Sequence, residues 1–155
     1  MTGRHLGSAI ILLVHLGCAD AGRPMLQVGD PVASGAVGLP HSGAGLLWVL
    51  QPDDYVRCES YAREIRRLQR QSSTPVELTV VAVGGHDDWA RAFVSRERVA
   101  ARVVAMARRT YQREFGRAPR SALYIVEAGV VRAAYPIDGA AELAEGELST
   151  ALAGI

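Results

Sequence analysis

The side chains best suited to covalent chemistry in this 155-residue sequence are its two cysteines, Cys18 and Cys58. Thiol chemistry runs through the thiolate, which a helix N-terminus or a neighbouring guanidinium favours. Cys58 lies in PDDYVRCESYAREIRRL, Pro52 to Leu68, with Arg57 beside it. Pro52-Asp53-Asp54 ends an apolar run, and either aspartate can cap a helix that starts near Tyr55. Cys58 then falls in the first turn, where a nucleophile belongs. The periodicity points the other way: Cys58, Tyr61, Ile65 and Leu68 are spaced three, four and three, so the sulfur shares the helix face that turns to the core. Two readings stay open, a working nucleophile at the mouth of a helix or a small apolar residue on its buried side.

Cys18 has a different context. Arg4 and His5 supply a short basic region, LGSAIILLVHL from Leu6 to Leu16 supplies an apolar run, and Gly17-Cys18 follow directly. This is the layout of a signal peptide over residues 1–17, and the apolar run is too short to span a bilayer as a helix. HLGC resembles the lipobox of bacterial lipoproteins, with His15 where leucine is usual. The resemblance implies cleavage before Cys18, a lipid on its sulfur, a tether over residues 18–27, and an exported, membrane-anchored protein facing the periplasm or the cell exterior. Lipidation would consume the Cys18 thiol and leave Cys58 without a partner in its own chain; an unmodified Cys18 leaves a Cys18 to Cys58 disulfide open.

The elements that position Cys58 follow from composition and pattern. With 49% hydrophobic and 21% charged residues the chain fits one globular domain, over residues 28–155. The formal charge of +1 gives no bulk attraction to nucleic acid or to an acidic membrane surface. Every basic residue is arginine, and Arg63, Arg66, Arg67 and Arg70 read as a solvated helix face, with Glu59 placed to pair with Arg63. Leu46 to Leu50 and Val76 to Val83 read as buried strands, each followed by an aspartate-capped helix, the second carrying Trp89 and Phe93. Glu97 to Phe115 reads as helical, with a possible extended break around Val99, Val103 and Val104, and Gly116 as its stop. Ser121 to Val126 and Val130 to Ala134 form a hairpin through Glu127-Ala128-Gly129, and a last helix after Asp138-Gly139 holds Leu143, Leu148 and Leu152. A crossover makes the first two strands parallel and the hairpin adds antiparallel ones, so the sheet is mixed. His41 and His86 stand alone, and no glycine pattern of nucleotide-binding type follows a strand, so neither a metal nor a cofactor is expected.

This order, with particular residues, resembles the thioredoxin fold, and more narrowly the membrane-anchored thioredoxin-like and redoxin proteins. VGDPV at Val28 to Val32 is similar to the redoxin lead-in segment, LLWVLQPDDYVRC to the strand that delivers the family's C-x-x-C motif, and RAPRSALYIV to the loop that places a cis-proline beside it. The resemblance implies a three-layer α/β/α domain in thiol–disulfide chemistry, where one cysteine attacks and a second resolves the mixed disulfide. Here the motif reads Tyr55-Val56-Arg57-Cys58: tyrosine takes the attacking position, only the resolving position keeps its sulfur, and Val49 falls where some relatives keep a buried carboxylate. A degenerate motif implies lost dithiol catalysis, with three outcomes: residual monothiol redox work at Cys58; a binding module holding an extended peptide or protein partner in a groove of Arg57, Arg117, Pro119 and Arg120; or an accessory lipoprotein. The peroxiredoxin pattern P-x-x-x-[ST]-x-x-C is imitated by Pro52, Tyr55 and Cys58 one residue short, and a monothiol peroxidase would need Arg117 or Arg120 at its thiolate. For Pro119 the family implies a cis bond, and the general rarity of that isomer a trans one.

Overall fold

A computed structural model describes residues 25–39, 43–137 and 142–154. Among them the order is α1 (Ser34–Val37), β1 (Ala44–Leu50), a 3₁₀ turn (Tyr55–Cys58), α2 (Glu59–Gln71), β2 (Leu78–Val83), α3 (Asp88–Arg96), β3 (Arg102–Met106), α4 (Arg108–Phe115), β4 (Ala122–Glu127), β5 (Val130–Pro136) and α5 (Glu147–Ala153). The strands form one mixed sheet in the order β3-β2-β1-β4-β5. β1, β2 and β3 run parallel, while β4 and β5 are antiparallel to their neighbours.

Side chains of β1 alternate between two cores, as a pleated strand buried on both faces must. Leu46, Trp48 and Leu50 pack with Tyr61, Ile65 and Leu68 of α2, Phe93 of α3 and Leu148 of α5. Leu47 and Val49 face the other way, against Tyr111 and Phe115 of α4, Val37 of α1 and Leu26. The result is the expected three-layer α/β/α architecture, with the 3₁₀ turn and α2 leaving the end of the central strand.

Four local expectations need correction. The region 97–115 is not mainly helical: the extended break allowed for at Val103 and Val104 is a full parallel edge strand, Arg102–Met106, in register with β2, Val81 opposite Val104. The break before it is a helix stop at Arg98, which adopts a left-handed φ of 54°. Glycine is the usual residue there, so the stop carries no sequence mark. The last helix begins at Glu147, leaving Leu143 outside it. The pair expected between Glu59 and Arg63 is replaced by Glu64 with Arg67, a forked contact with oxygens at 2.7 and 2.9 Å. Leu26, inside the stretch expected to be tether, is 1% exposed and belongs to the core. The hairpin turns where expected, with Ala128 and Gly129 both at positive φ, the geometry that matches strand twist. Asp138, Gly139 and His41 lie outside the described residues.

Candidate functional site

β1 ends at Leu50, and the chain turns through Gln51–Asp54 into the 3₁₀ turn that carries Cys58 to the head of α2. A set of polar contacts fixes this turn to the loop before β4. The Gln51 backbone N–H donates to Ser121 Oγ at 3.0 Å, and that hydroxyl donates to Asp54 Oδ2 at 2.6 Å. The Gln51 side-chain oxygen accepts from Arg108, at the start of α4, at 2.8 Å. Asp54 does stand at the N-cap position of the 3₁₀ turn, but no side-chain cap bond forms there. Its carboxylate is engaged by Ser121 instead. Asp87 likewise heads α3 without a side-chain cap bond, pairing with Arg91.

Cys58 is fully buried, in the cluster with Tyr61, Ile65 and Leu68. Its Sγ–H donates to the Asp54 carbonyl at 3.3 Å. Burial, seconded by the nearby Asp54 carboxylate, pushes the thiol up to about 12. Both causes disfavour the anion, so the sulfur here is a protonated, apolar packing group. The backbone of Tyr55 opens the 3₁₀ turn; its side chain and that of Val56 lie outside the described residues. Val49 is buried among apolar side chains of the α4-side core, while Cys58 belongs to the core on the other face of the sheet.

The other expected site residues divide. Arg57 is exposed on the 3₁₀ turn and Arg120 is exposed one residue before Ser121. Arg117 is directed elsewhere: at 12% exposure it pairs with Asp30 of the lead-in segment at 3.1 Å, and so ties that segment to the end of α4. Pro119 is buried, and its peptide bond is trans. Of the two isomers left open by the sequence it is the trans one, and the hydrogen bond between this loop and the turn comes from Ser121, at the head of β4. Cys18 lies outside the described residues. Among the described residues no three His, Cys, Asp or Glu side chains gather so as to hold a metal ion.

Sequence reasoning missed Ser121 and Gln51. Periodicity marks buried apolar positions, and a serine at the head of a strand looks like ordinary turn chemistry; its partner Asp54 is 67 residues away in the chain.

No protein-family model and no curated protein matches the chain. Its likeness to solved structures is one of shape. It superposes on a secreted Mycobacterium tuberculosis disulfide oxidoreductase homologous to E. coli DsbE, with a TM-score of 0.55 and 15% identity over 83% of this chain and 96% of that one. A DsbF homologue from Corynebacterium diphtheriae gives 0.54 and 11% over 73% of this chain and 72% of that one. Reduced Prx3 from Vibrio vulnificus, in complex with hydrogen peroxide, gives 0.54 and 12% over 83% and 97%. Identities this low carry the fold alone: the domain has a thioredoxin-like α/β fold with a mixed five-stranded sheet.

Proposed function

We propose that this chain is an exported, lipid-anchored thioredoxin-fold protein that has left thiol–disulfide exchange and works by binding. The observation that carries the reading is the state of Cys58, buried, hydrogen-bonded to the Asp54 carbonyl and with its thiol pushed up to about 12. With a thiol of that kind only about one molecule in 100,000 carries a thiolate at pH 7. A monothiol peroxidase or exchange enzyme needs an accessible anion and a cation beside it, and Arg117, one of the two arginines available from the later loop, is held by Asp30. Tyr55 stands where the attacking sulfur of related enzymes would be, and a phenol has no disulfide chemistry to offer in its place. Arg57 and Arg120, exposed on the 3₁₀ turn and in the loop before β4, would then meet an extended peptide or protein segment. The similarity to a secreted oxidoreductase supports an extracytoplasmic location, and the LGC sequence at Leu16 to Cys18 supports lipid attachment there.

Alkylation of the native protein at pH 7.5, with peptide mapping by mass spectrometry, tests the central point. Cys58 is expected to stay unmodified until the protein is denatured; modification within seconds in the folded state would overturn the reading. The alignment is tested by Tyr55→Cys. Residues three apart in a 3₁₀ turn lie on one side at roughly 6 Å, inside the range a disulfide spans. The variant is therefore expected to form a disulfide with Cys58 and gain insulin reductase activity, and one that remains a dithiol under oxidant would sink the alignment. Mass analysis of the N-terminal peptide reports acylation of Cys18.

A further inference from the structure

The net charge of +1 conceals an uneven distribution. One outer layer consists of the lead-in segment with α1, residues 25–39, and of α4 with its flanks, residues 107–121; it carries five arginines against two carboxylates, Asp30 and Glu114. The rest of the described chain carries ten arginines against twelve carboxylates. Within the basic layer Arg108, Arg109 and Arg113 stand exposed on α4, whose inner face is fixed by buried Tyr111 and Phe115. Arg113 shares its charge with adjacent Glu114 and Arg117 with Asp30, while Arg109 and Arg120 have no carboxylate partner among the described residues. Asp54, near the head of α4, has its carboxylate engaged by Ser121.

The same layer holds the one large hydrophobic side chain that is exposed among the described residues, Val28 at 66%. It sits in a turn closed by the Gln27 N–H donating to Asp30 Oδ2 at 2.8 Å, and Asp30 binds Arg117. The layer is also where the chain joins the domain: Leu26 packs with Tyr111 and Phe115. Six residues, Ala19 to Pro24, separate Cys18 from Met25, so the seven steps between them reach about 24 Å at full extension.

We infer that the α4 layer, through Arg108, Arg109, Arg113 and the exposed Val28, docks on the surface of an anionic phospholipid membrane and sets the orientation of the domain on it. The inference rests in part on the anchor reading, because the tether attaches on this side and holds it nearest the bilayer. Exposed arginines together with an exposed apolar side chain on one layer suit the headgroup boundary, where the headgroups are anionic and the acyl region beneath them apolar.

The test uses the full chain with Cys18→Ser and an environment-sensitive fluorophore on Gln112→Cys, outward on α4, or on Ser73→Cys, beyond the end of α2; Cys58 stays unlabelled in its core. With vesicles of phosphatidylglycerol the label at 112 is expected to shift, with little shift at 73 and little with pure phosphatidylcholine. Changing Arg108, Arg109 and Arg113 together to Gln is expected to weaken this response about a hundredfold in vesicle concentration, and Val28→Asp to weaken it as well. Arg63→Gln with Arg70→Gln, equal in kind on α2, should leave it in place. An equal shift at 73, a shift indifferent to lipid charge, a shift produced by soluble glycerol phosphate, or no shift at 112 would each overturn the proposal. The acylation state of Cys18 in the natural chain is read separately, so failure of the anchor and failure of the docking face give different results.

Discussion

A thiol kept neutral by its surroundings leaves a thermodynamic signature as well as a chemical one. Cys58 is raised from 9.0 to about 12, first by burial and then by the Asp54 carboxylate. The fold therefore favours the protonated form, and its contribution to stability is whole below pH 9 and is lost as pH climbs toward 12. Urea denaturation between pH 8 and 11 should show stability falling by as much as about 1.4 kcal/mol per pH unit. Tyr111 and Tyr124 are also raised by burial and act in the same direction, so the part due to Cys58 is the difference from Cys58→Ala. Equal slopes in the two proteins would show that the sulfur is not held as described. Ser121 is the second residue on which the site depends, since it satisfies the Gln51 N–H and the Asp54 carboxylate together. Ser121→Ala strands both groups and should lower stability by about 1–3 kcal/mol in denaturant titration. Of this site the sequence showed the half that obeys helical spacing, namely the inward turn of Cys58. The serine clamp was hidden because hydrogen bonds between distant loops leave no periodic trace.

At the scale of elements the same distinction holds. β1, β2 and the hairpin were legible because both faces of each are buried or their turn demands glycine; Gly129 and Gly116 take left-handed conformations at the two places where a turn and a helix stop were expected. β3 was obscured for two physical reasons. It is an edge strand, largely half-buried or exposed, so its composition is not forced toward β-branched residues. The helix before it ends on Arg98, whose N–H reaches the Ser95 carbonyl at 3.1 Å while Val99 bonds back to Val94 at 3.0 Å, a helix stop built without glycine. A left-handed arginine carries strain of about 1 kcal/mol that glycine would relieve. Arg98→Gly should therefore raise the denaturation midpoint by about that free energy, although glycine also loosens the unfolded chain. A loss of more than 1 kcal/mol would mean that the arginine side chain contributes contacts that outweigh its backbone. The start of α5 was misplaced for a related reason: Glu64, reaching across from α2 to the Gly146 N–H at 2.8 Å, helps determine where the C-terminal helix docks.

For the molecule as a whole the question is whether its two cores behave as one. The central strand contributes Trp48 to one core and Leu47 and Val49 to the other, so neither face of the sheet can open without exposing the backbone of β1 to loss of its neighbours. Leu26 and Leu148 probe the two sides at nearly equal burial, the first in the lead-in segment and the second in α5. If the layers are coupled through the sheet, Leu26→Ala and Leu148→Ala should each cost about 2–5 kcal/mol. Each should shift a single transition with an unchanged dependence on denaturant. The alternative has a distinct appearance. Leu26 is joined to the rest through Asp30 with Arg117, a short bridge from Pro31 to Val130, and backbone bonds from Gly29 and Val32 to the β5 hairpin. Were these too weak to bind the segment into the cooperative unit, Leu26→Ala would release it alone, giving early hydrogen exchange over residues 25–32 and little change in global stability. Coupling is the expected result, because the leucine side chain is 1% exposed and belongs to the same buried cluster as Tyr111 and Phe115. It also bears on the proposed docking, since an anchor ahead of residue 25 would steer the α4 layer only if the segment that follows it is fixed to that layer.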